Sequence, residues 1–481
     1  MDQYVQDAMK KWEVPGLAIA VVKDGETVLA RGYGVCEVGS NRAVTKDTVF
    51  SIASCTKPFT AASVGMLVDE GKVIWDDPVK KHLPSFEVSD SYVSQHVTLR
   101  DLLCHRTGLV RGDLLFVKGD LEREEILRRV KFFGQAAPFR AKFSYNNVMY
   151  GVLGEVVERE SGATWEQFVT ERIFKPLDLD STTVTRTTVP AERLAIRHRR
   201  YDGRVLPFRK PIRDDLIAPA GAIHSTVVDM AQWLKFHLRE GDHKGQQLLK
   251  PRTVREMHAL HQSIPIMGRA DGSVYDAKVA GTGLGWFIRD YRGRKVVQHG
   301  GGWGADTALL PEEGLAIVVL SNLDHNLLVS MLVYDVIDAY LVGPERAWAK
   351  ADKWDHWLAI GGPDHMERSR NDQWAQLDKA RVSGTKPSLP LQKYSGRYES
   401  DLYGSLKVRD DAGRLSVQFG DHAVELSHWQ NDMFYGRAVV EPFLDWLVKF
   451  QVRNDNSVSR LEIVHVGWKD PDERHVFSRA E

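Results

Sequence analysis

The stretch FSIASCTKP, residues 50–58, carries the most informative pattern in the chain. It places Ser54 at the start of a predicted helix and Lys57 three residues later, and an i, i+3 pair shares one face of a helix. A serine becomes a nucleophile when a base takes its proton, and a lysine can be that base if burial and positive potential keep it partly neutral. The stretch predicts such a pair, although Ser-x-x-Lys alone also describes an N-cap serine with a surface lysine.

Two later motifs carry residues of matching chemistry. In FSYNN, residues 143–147, Tyr145 can relay a proton and Asn147 can donate to a substrate carbonyl. In QHGGGWG, residues 298–304, a strand ends in glycines whose backbone N–H groups can bind a developing oxyanion. Each motif alone also fits an ordinary loop or turn.

Taken in order, Ser54-x-x-Lys57, Tyr145-x-Asn147 and His299-x-Gly301 resemble the motifs of the penicillin-recognising serine hydrolases. The closer likeness is to the class C β-lactamase group, which includes D,D-peptidases, D-aminopeptidases and β-lactamase-like carboxylesterases. The flanking text LRDLLCHRTGL, residues 99–109, also looks like this family. The resemblance covers roughly residues 1–342.

The resemblance implies an acyl-enzyme mechanism. Ser54 would be the acylated nucleophile, with Lys57 and Tyr145 as the proton-transfer pair, and either of the two could be the base. It implies cleavage of an ester or amide, in a D-aminoacyl peptide or amide or in a carboxylic ester. The alternatives are a β-lactamase, a D,D-carboxypeptidase, or a catalytically silent penicillin- or peptide-binding protein of the same fold.

The resemblance also assigns the groups that hold the substrate. Asn147, His299 and Gly301 would bind it, and the backbone N–H groups of Ser54 and Gly302 would form the oxyanion hole. No metal or organic cofactor is implied. Many β-lactamases have a lysine where this chain has His299, so we expect neutral substrates to be favoured at pH 8 and protonation of the imidazole near pH 6 to restore anion binding.

Hydrophobic patterning predicts an α+β architecture for residues 1–343. Residues 17–22 and 27–33 flank the turn Asp24-Gly25 and predict a hairpin, while helical patterns run over residues 54–70, 150–160 and 327–341. Further strands are expected over residues 284–320. This order predicts a β-lactamase/transpeptidase-like sandwich, in which helices flank an antiparallel sheet and a helical subdomain is added.

The rest of the chain is predicted to form two further segments. Residues 344–389 read as a helical connector rich in tryptophan (Trp348, Trp354, Trp357 and Trp374). Residues 390–481 show short strands with period two and predict a small antiparallel barrel. The text LQKYSGRY, residues 391–398, resembles the first strand of the lipocalin-like domain appended to some members of the family. A chain ended near residue 343 is therefore expected to keep all three motifs.

Composition excludes several classes of function. The 481 residues carry 64 Lys and Arg against 65 Asp and Glu, a net charge of −1 that argues against a nucleic-acid binder. The basic run Arg197–Arg200 is read as a solvated loop or helix end. No signal peptide or membrane span is predicted, and three cysteines match no zinc pattern, so a cytoplasmic location is expected, although a trimmed N-terminus would look the same. Partners would be the substrate and, as an open question, further copies of the chain.

Overall fold

The chain divides into two units that do not follow its sequence order. The first comprises Met1–Arg111 and Ala137–Pro363, and the second comprises Gly112–Ala136 and Asp364–Glu481. The computed structural model describes residues 1–201, 203–209, 213–266, 277–344, 354, 358, 362, 365–437, 445–466 and 474–480. Nothing in the sequence indicated that the segment 112–136 belongs with the C-terminal part.

An antiparallel sheet forms the centre of the first unit. Over the described residues it has eight strands, in the order β2-β1-β14-β13-β12-β11-β10-β9. The strands of this unit are β1 (Gly16–Lys23), β2 (Glu26–Gly34), β3 (Phe50–Ser51), β4 (His198–Tyr201), β5 (Arg204–Pro207), β6 (His224–Ser225), β7 (Asp242–His243), β8 (Gln246–Gln247), β9 (Gln262–Ser263), β10 (Ala280–Thr282), β11 (Phe287–Tyr291), β12 (Arg294–Gly301), β13 (Ala305–Leu310) and β14 (Leu315–Ser321). The predicted hairpin is confirmed as β1 and β2, and the antiparallel sheet is confirmed.

Helices cover both faces of this sheet. Within the described residues the α-helices are α1 (Asp2–Trp12), α2 (Lys57–Asp69), α3 (Val79–His82), α4 (Ser91–His96), α5 (Leu99–Leu103), α6 (Leu114–Val117), α7 (Arg123–Arg128), α8 (Val148–Ser161), α9 (Trp165–Val169), α10 (Ala218–Gly221), α11 (Val227–Leu238), α12 (Pro251–Met257), α13 (Leu328–Leu341) and α14 (His365–Lys379). Of these, α6, α7 and α14 belong to the second unit. The three helices predicted from the pattern correspond to α2, α8 and α13.

The central strands are apolar along their whole length because both of their faces are buried. In β14, Leu315, Ile317 and Val319 join the core that α1 and α13 complete, and the alternate residues point to the opposite face, where α11 packs. Successive side chains of a strand point to opposite faces, so a strand covered on both sides reads as a continuous hydrophobic run. No helix in the described part of the chain is long and apolar enough to cross a membrane.

The second unit contains a closed antiparallel barrel, which confirms the barrel prediction. Its eight strands within the described residues are β15 (Gly396–Ser400), β16 (Gly404–Asp410), β17 (Leu415–Phe419), β18 (His422–Gln430), β19 (Met433–Gly436), β20 (Trp446–Val452), β21 (Val458–His465) and β22 (Arg474–Arg479). Each strand pairs with its neighbours in sequence, and β15 closes on β22.

The segment 112–136 is bonded to this barrel. The carbonyl of Val117 accepts from His422 Nε2 at 2.9 Å, and the carbonyl of Lys118 accepts from the Asp421 N–H at 3.2 Å. A Cβ on Gly420 would lie 2.2 Å from the Lys118 carbonyl oxygen, so only glycine allows this approach. The Arg129 guanidinium donates to two further barrel carbonyls. The segment therefore leaves the first unit and returns to it after packing on the second.

The predicted tryptophan-rich connector is only partly described. Trp354 stacks edge-on against Tyr4 and Trp12 in the first unit and donates to the Tyr4 hydroxyl at 2.7 Å. Trp374 on α14 packs against Trp429 in the second unit. Trp348 and Trp357 lie outside the described residues.

The prediction that the basic run 197–200 is a solvated loop is wrong. Residues 198–201 form β4, which pairs with β5. Arg197 and Arg199 both bond the carboxylate of Asp324, and their side chains are only 12% and 15% exposed. These two guanidinium groups can be partly buried because Asp324, a carboxylate far away in sequence, forms ion pairs with both.

A chain ended near residue 343 should lose stability, because it keeps the segment 112–136 but not the barrel on which that segment packs. We expect limited proteolysis, read by mass spectrometry, to cut the truncated chain within 112–136 and to spare this segment in the full chain. The matched control replaces 112–136 by a short Gly/Ser loop in the truncated chain, which is feasible because the Ala137 N–H bonds the Gly108 carbonyl at 3.0 Å. Equal protection of 112–136 in both chains would contradict this account.

Candidate active site

Ser54 lies in a strained turn that leads into α2. A 3₁₀ turn covers Ala53–Thr56 and continues directly into α2 at Lys57. Ala53 has a φ of 45°, in the left-handed region that non-glycine residues rarely adopt. Such strain persists only where the surroundings impose it, and it is common beside functional groups. The turn leaves Ser54 partly exposed between buried neighbours.

Lys57 is fully buried and donates to three acceptors. Its Nζ lies 3.1 Å from Ser54 Oγ, 2.9 Å from Asn147 Oδ1 and 2.8 Å from the carbonyl oxygen of Ala220. An ammonium group has three N–H donors, so these acceptors match the charged form. The Ala220 carbonyl was not anticipated from the sequence, because every residue carries one and no side-chain pattern marks it.

Tyr145 completes the set of groups around the serine hydroxyl. Its hydroxyl donates to Ser54 Oγ at 2.9 Å, and its ring lies 4.9 Å from Lys57 Nζ. The Arg111 guanidinium lies 5.4 Å from the same ring. The structure therefore brings Ser54, Lys57, Tyr145 and Asn147 into one hydrogen-bonded group, although 90 residues separate the first pair from the second in sequence.

His105 supports the segment that carries Tyr145, and the sequence analysis did not single it out. Its Nδ1 accepts from the Asn146 N–H at 3.2 Å, its carbonyl accepts from the Ser144 N–H at 2.7 Å, and its ring lies 4.3 Å from the Tyr145 ring. Burial and the charge of Lys57 hold the pKa of His105 well below its ordinary value, so the imidazole is neutral. In the sequence, the signal that pointed to His105 was its position in LRDLLCHRTGL, residues 99–109, which looks like the family.

Asp101 links the segment around His105 to the segment that carries Tyr145. It lies on α5 with no exposed side-chain surface, and its carboxylate accepts from Arg106 Nε at 2.5 Å, from Arg140 at 2.7 Å and from the Thr98 N–H at 2.9 Å. Burial favours the neutral acid, but the hydrogen bonds from Arg140 and Arg106 outweigh it and lower the pKa of Asp101. A charged Asp101 thus ties the residues around His105 to those around Tyr145.

Asp101→Asn should destabilise the first unit by about 2 kcal/mol or more, because it leaves the partly buried Arg106 and the more exposed Arg140 without their anion. The lowered native pKa means that the carboxylate stabilises the fold above its ordinary pKa of 3.8 and that this contribution disappears as the pH falls through the native value. Chemical unfolding over a pH series from about 7 down to about 2 measures both effects, with Asp47→Asn, at an exposed carboxylate paired with the neighbouring Lys46, as the control. A variant as stable as wild type at pH 7 would contradict this role.

The glycine run of β12 lies against the turn that carries Ser54. A Cβ on Gly301 would lie 2.3 Å from the Ile52 carbonyl oxygen, so glycine is required for this approach. The carbonyl of His299 accepts from Cys55 Sγ at 3.1 Å and from Thr307 Oγ1 at 3.0 Å. These contacts place the end of β12 against the turn that carries Ser54.

The His299 side chain is buried and neutral. Its Nδ1 donates to the carbonyl of Gly300 at 2.9 Å. Burial and the charge of Lys57 lower the pKa of His299 to about 3. The expectation that this imidazole would gain a proton near pH 6 is therefore wrong, because desolvation beside a cation disfavours the charged form. Among the described residues no group of three or more His, Cys, Asp or Glu side chains is arranged to hold a metal ion.

The imidazole signals of His299 should not titrate between about pH 5 and pH 9 in ¹³C- or ¹⁵N-edited NMR spectra, because its charged form is desolvated. His299→Gln assigns the signal. His96, which is solvent-exposed, serves as an internal reference for an accessible histidine. A His299 titration centred near pH 6 would show that the site admits the charged form.

Comparisons with known proteins agree with this geometry. Residues 1–336 match the family model described as Beta-lactamase, and residues 380–475 match one described as a domain of unknown function (DUF3471). The chain is 28% identical to Unguisins hydrolase ungD' of Aspergillus campestris over 86% of this chain and 78% of that protein. It is 30% identical to Penicillin-binding protein 4 of Amycolatopsis lactamdurans over 66% of this chain and 83% of that protein.

Solved structures show the same fold. The octameric penicillin-binding protein homologue from Pyrococcus abyssi aligns over 99% of both chains, with a TM-score of 0.60 and 21% identity. EstCE1, a hydrolase with promiscuous acyltransferase activity, aligns over 73% of this chain and 97% of its own, with a TM-score of 0.58 and 20% identity. The motif order, the antiparallel sheet and the family match lead to one assignment: the chain belongs to the β-lactamase family of penicillin-recognising serine hydrolases and carries a C-terminal β-barrel domain.

Proposed function

We propose that this protein hydrolyses a carboxylic ester or an amide, such as a D-aminoacyl peptide or amide, through an acyl-enzyme on Ser54. The observation that carries the proposal is the double contact of Ser54 Oγ, with Lys57 Nζ at 3.1 Å and the Tyr145 hydroxyl at 2.9 Å. Nucleophilic catalysis needs a hydroxyl within hydrogen-bond reach of a group that can accept its proton, and this site offers two.

Acylation would begin with loss of the Ser54 proton to this pair. Oγ then attacks the substrate carbonyl carbon, and the carbonyl oxygen becomes an oxyanion that the backbone N–H groups of Ser54 and Gly302 would stabilise. When the intermediate collapses, the bond to the leaving alcohol or amine breaks and the pair returns the proton to it. The step requires that the pair has first lost one proton to solvent; either Lys57 as an amine or Tyr145 as a phenolate then accepts the Ser54 proton, and the two are treated as one coupled proton system.

Deacylation would repeat the sequence with water as the nucleophile. A water molecule loses its proton to the same pair, attacks the acyl carbon and releases the acid, and Ser54 regains its proton. Asn147 would orient the substrate in both steps. Because Lys57 occupies its Oδ1, the amide NH₂ end is the part of Asn147 that can donate to a substrate carbonyl.

The relatives support hydrolysis without naming one substrate. Their printed names include a hydrolase of unguisins, a penicillin-binding protein and, among structures, a hydrolase with acyltransferase activity. A neutral His299 offers no fixed charge at a position that in many β-lactamases is a lysine, which favours ester or amide hydrolysis over efficient β-lactamase activity, whereas some D,D-peptidases of the family also have a histidine there. His299 and Gly301 would form one wall of the substrate site.

We further propose that residues 390–481 form a lipocalin-like domain and that residues 344–389 connect it to the hydrolase domain of residues 1–343. The closed barrel and its sequential strand order support the first part. Because the Pyrococcus abyssi homologue is described as octameric, we also propose that this chain forms a homo-oligomer.

Ser54→Ala should lower kcat/KM for every substrate by about 10³-fold or more, because it removes the hydroxyl that both Lys57 and Tyr145 bond. The screen uses p-nitrophenyl esters, D-amino-acid p-nitroanilides and nitrocefin. Ser63→Ala is the matched control: this serine lies on the same helix but donates to the Phe59 carbonyl within it. A Ser54→Ala protein that keeps a tenth of wild-type activity excludes Ser54 as the nucleophile, and a wild type that binds labelled penicillin without turning over any substrate supports the silent binding protein instead.

A further inference from the structure

A cavity of about 160 Å³ lies beside the turn that carries Ser54. Phe50 and Ser51, which precede the turn, form part of its wall, and so does Trp303, which directly follows Gly302. The cavity thus begins within a few residues of both amides proposed for the oxyanion hole. Ser54, Lys57 and Tyr145 are not among its described lining residues, so a substrate would reach it through a side group attached near the scissile carbonyl.

The walls of this cavity carry positive charge. Arg186, Arg197 and Arg209 all line it, and no Asp or Glu is among its described lining residues. Arg209 is largely exposed and ion-paired with Glu37. The other two guanidinium groups are more enclosed, so their charges are the ones that a ligand in the cavity would meet.

Arg197 is held rigidly and retains an unused donor. Its Nε and NH2 donate to the two carboxylate oxygens of Asp324 at 2.6 and 2.7 Å, and its guanidinium lies 4.1 Å from the Trp303 ring. Asp324 also accepts from Arg199 Nε at 2.9 Å, so two guanidinium groups share this carboxylate. The NH1 group of Arg197 is buried and has no hydrogen-bond partner in the described part of the chain.

Arg186 is the second cation in this wall. Within the residues that the structure describes, its side chain makes no hydrogen bond and no ion pair, and it is partly buried. Its guanidinium nitrogens are not among the buried atoms that lack a partner, so water reaches them and a bound anion would replace that water.

The histidine in the same wall does not add to the charge. Burial, together with the charges of Arg186 and Arg197, lowers the pKa of His224 to about 4, so its imidazole is neutral at physiological pH. The positive charge in the wall therefore comes from its arginines. Phe208 and Trp303 supply apolar surface between them, which suits a short carbon chain.

We propose that this cavity binds a carboxylate on the substrate, so that the preferred ester or amide carries a free carboxylate several bonds away from the scissile carbonyl. A planar carboxylate matches the fork of a guanidinium, which is why arginine is the usual partner for it. The proposal rests on the proposed function and names its substrate class. In many β-lactamases a lysine at the position of His299 supplies a fixed positive charge. The neutral His299 cannot supply this charge, whereas Arg186 and Arg197 can.

The test compares two substrates that differ only in charge, mono-p-nitrophenyl adipate and its methyl ester. We expect wild type to prefer the acid, and Arg186→Gln to lower kcat/KM for the acid by about tenfold or more, mainly through KM, while the methyl ester changes less than about twofold. Arg186→Lys should restore part of the preference. Arg255→Gln is the charge-matched control, because this arginine is exposed and pairs with Glu240. An unchanged acid-to-ester ratio in Arg186→Gln overturns the proposal.

A binding measurement separates this proposal from the proposed function. In Ser54→Ala, which should not turn over substrate, calorimetry should detect binding of monomethyl adipate, weakened about tenfold or more when Arg186→Gln is added. If binding depends on Arg186 but wild type hydrolyses neither ester, the pocket stands and the hydrolase proposal fails. If Ser54→Ala binds monomethyl adipate equally with and without Arg186, the pocket is refuted whatever the enzyme hydrolyses.

Discussion

The buried ammonium of Lys57 is the constraint on which the site depends. A charged group without exposed surface is tolerated only when its donors are matched, and here the three acceptors come from three separate parts of the chain: Ser54, Asn147 and Ala220. Meeting this requirement fixes the start of α2 against the start of α8 and against α10. Helices α8 and α10 accordingly approach each other closely. A Cβ on Gly154 would lie 2.5 Å from Pro219, so glycine is required at this contact.

The two histidines buried near Lys57 are neutral, so neither adds a second positive charge beside its ammonium group. His105 and His299 are both buried near the ammonium and both have pKa values far below the ordinary range, so neither competes with it as a cation. The carboxylate of Asp101 is ion-paired with Arg106 and Arg140. Ser54 Oγ bonds one cation, Lys57, and one phenol, Tyr145, and the proposed carboxylate site lies in the separate cavity lined by Arg186 and Arg197.

The i, i+3 spacing was enough to pair Lys57 with Ser54, because a motif with fixed spacing on one helix determines its own geometry, whereas Tyr145 was assigned through the family resemblance of the three motifs taken together. Local patterns also predicted the β1–β2 hairpin and the barrel, since turn residues and period-two alternation are local signals. They failed where the cause is distant in sequence. The basic run of residues 197–200 looked solvated because its partner, Asp324, lies more than 120 residues away. The packing of 112–136 on the barrel and the role of the Ala220 carbonyl have no local signature.

In the proposed mechanism, Ser54 carries the acyl group between acylation and deacylation. Mass spectrometry of the protein quenched in acid during turnover of an activated ester, followed by peptide mapping, tests this role. We expect the acyl mass on the peptide that contains Ser54, and we expect fragmentation to assign it to that serine. Acylation of a different residue, or steady turnover with no acylated protein under conditions where deacylation is rate-limiting, would contradict it.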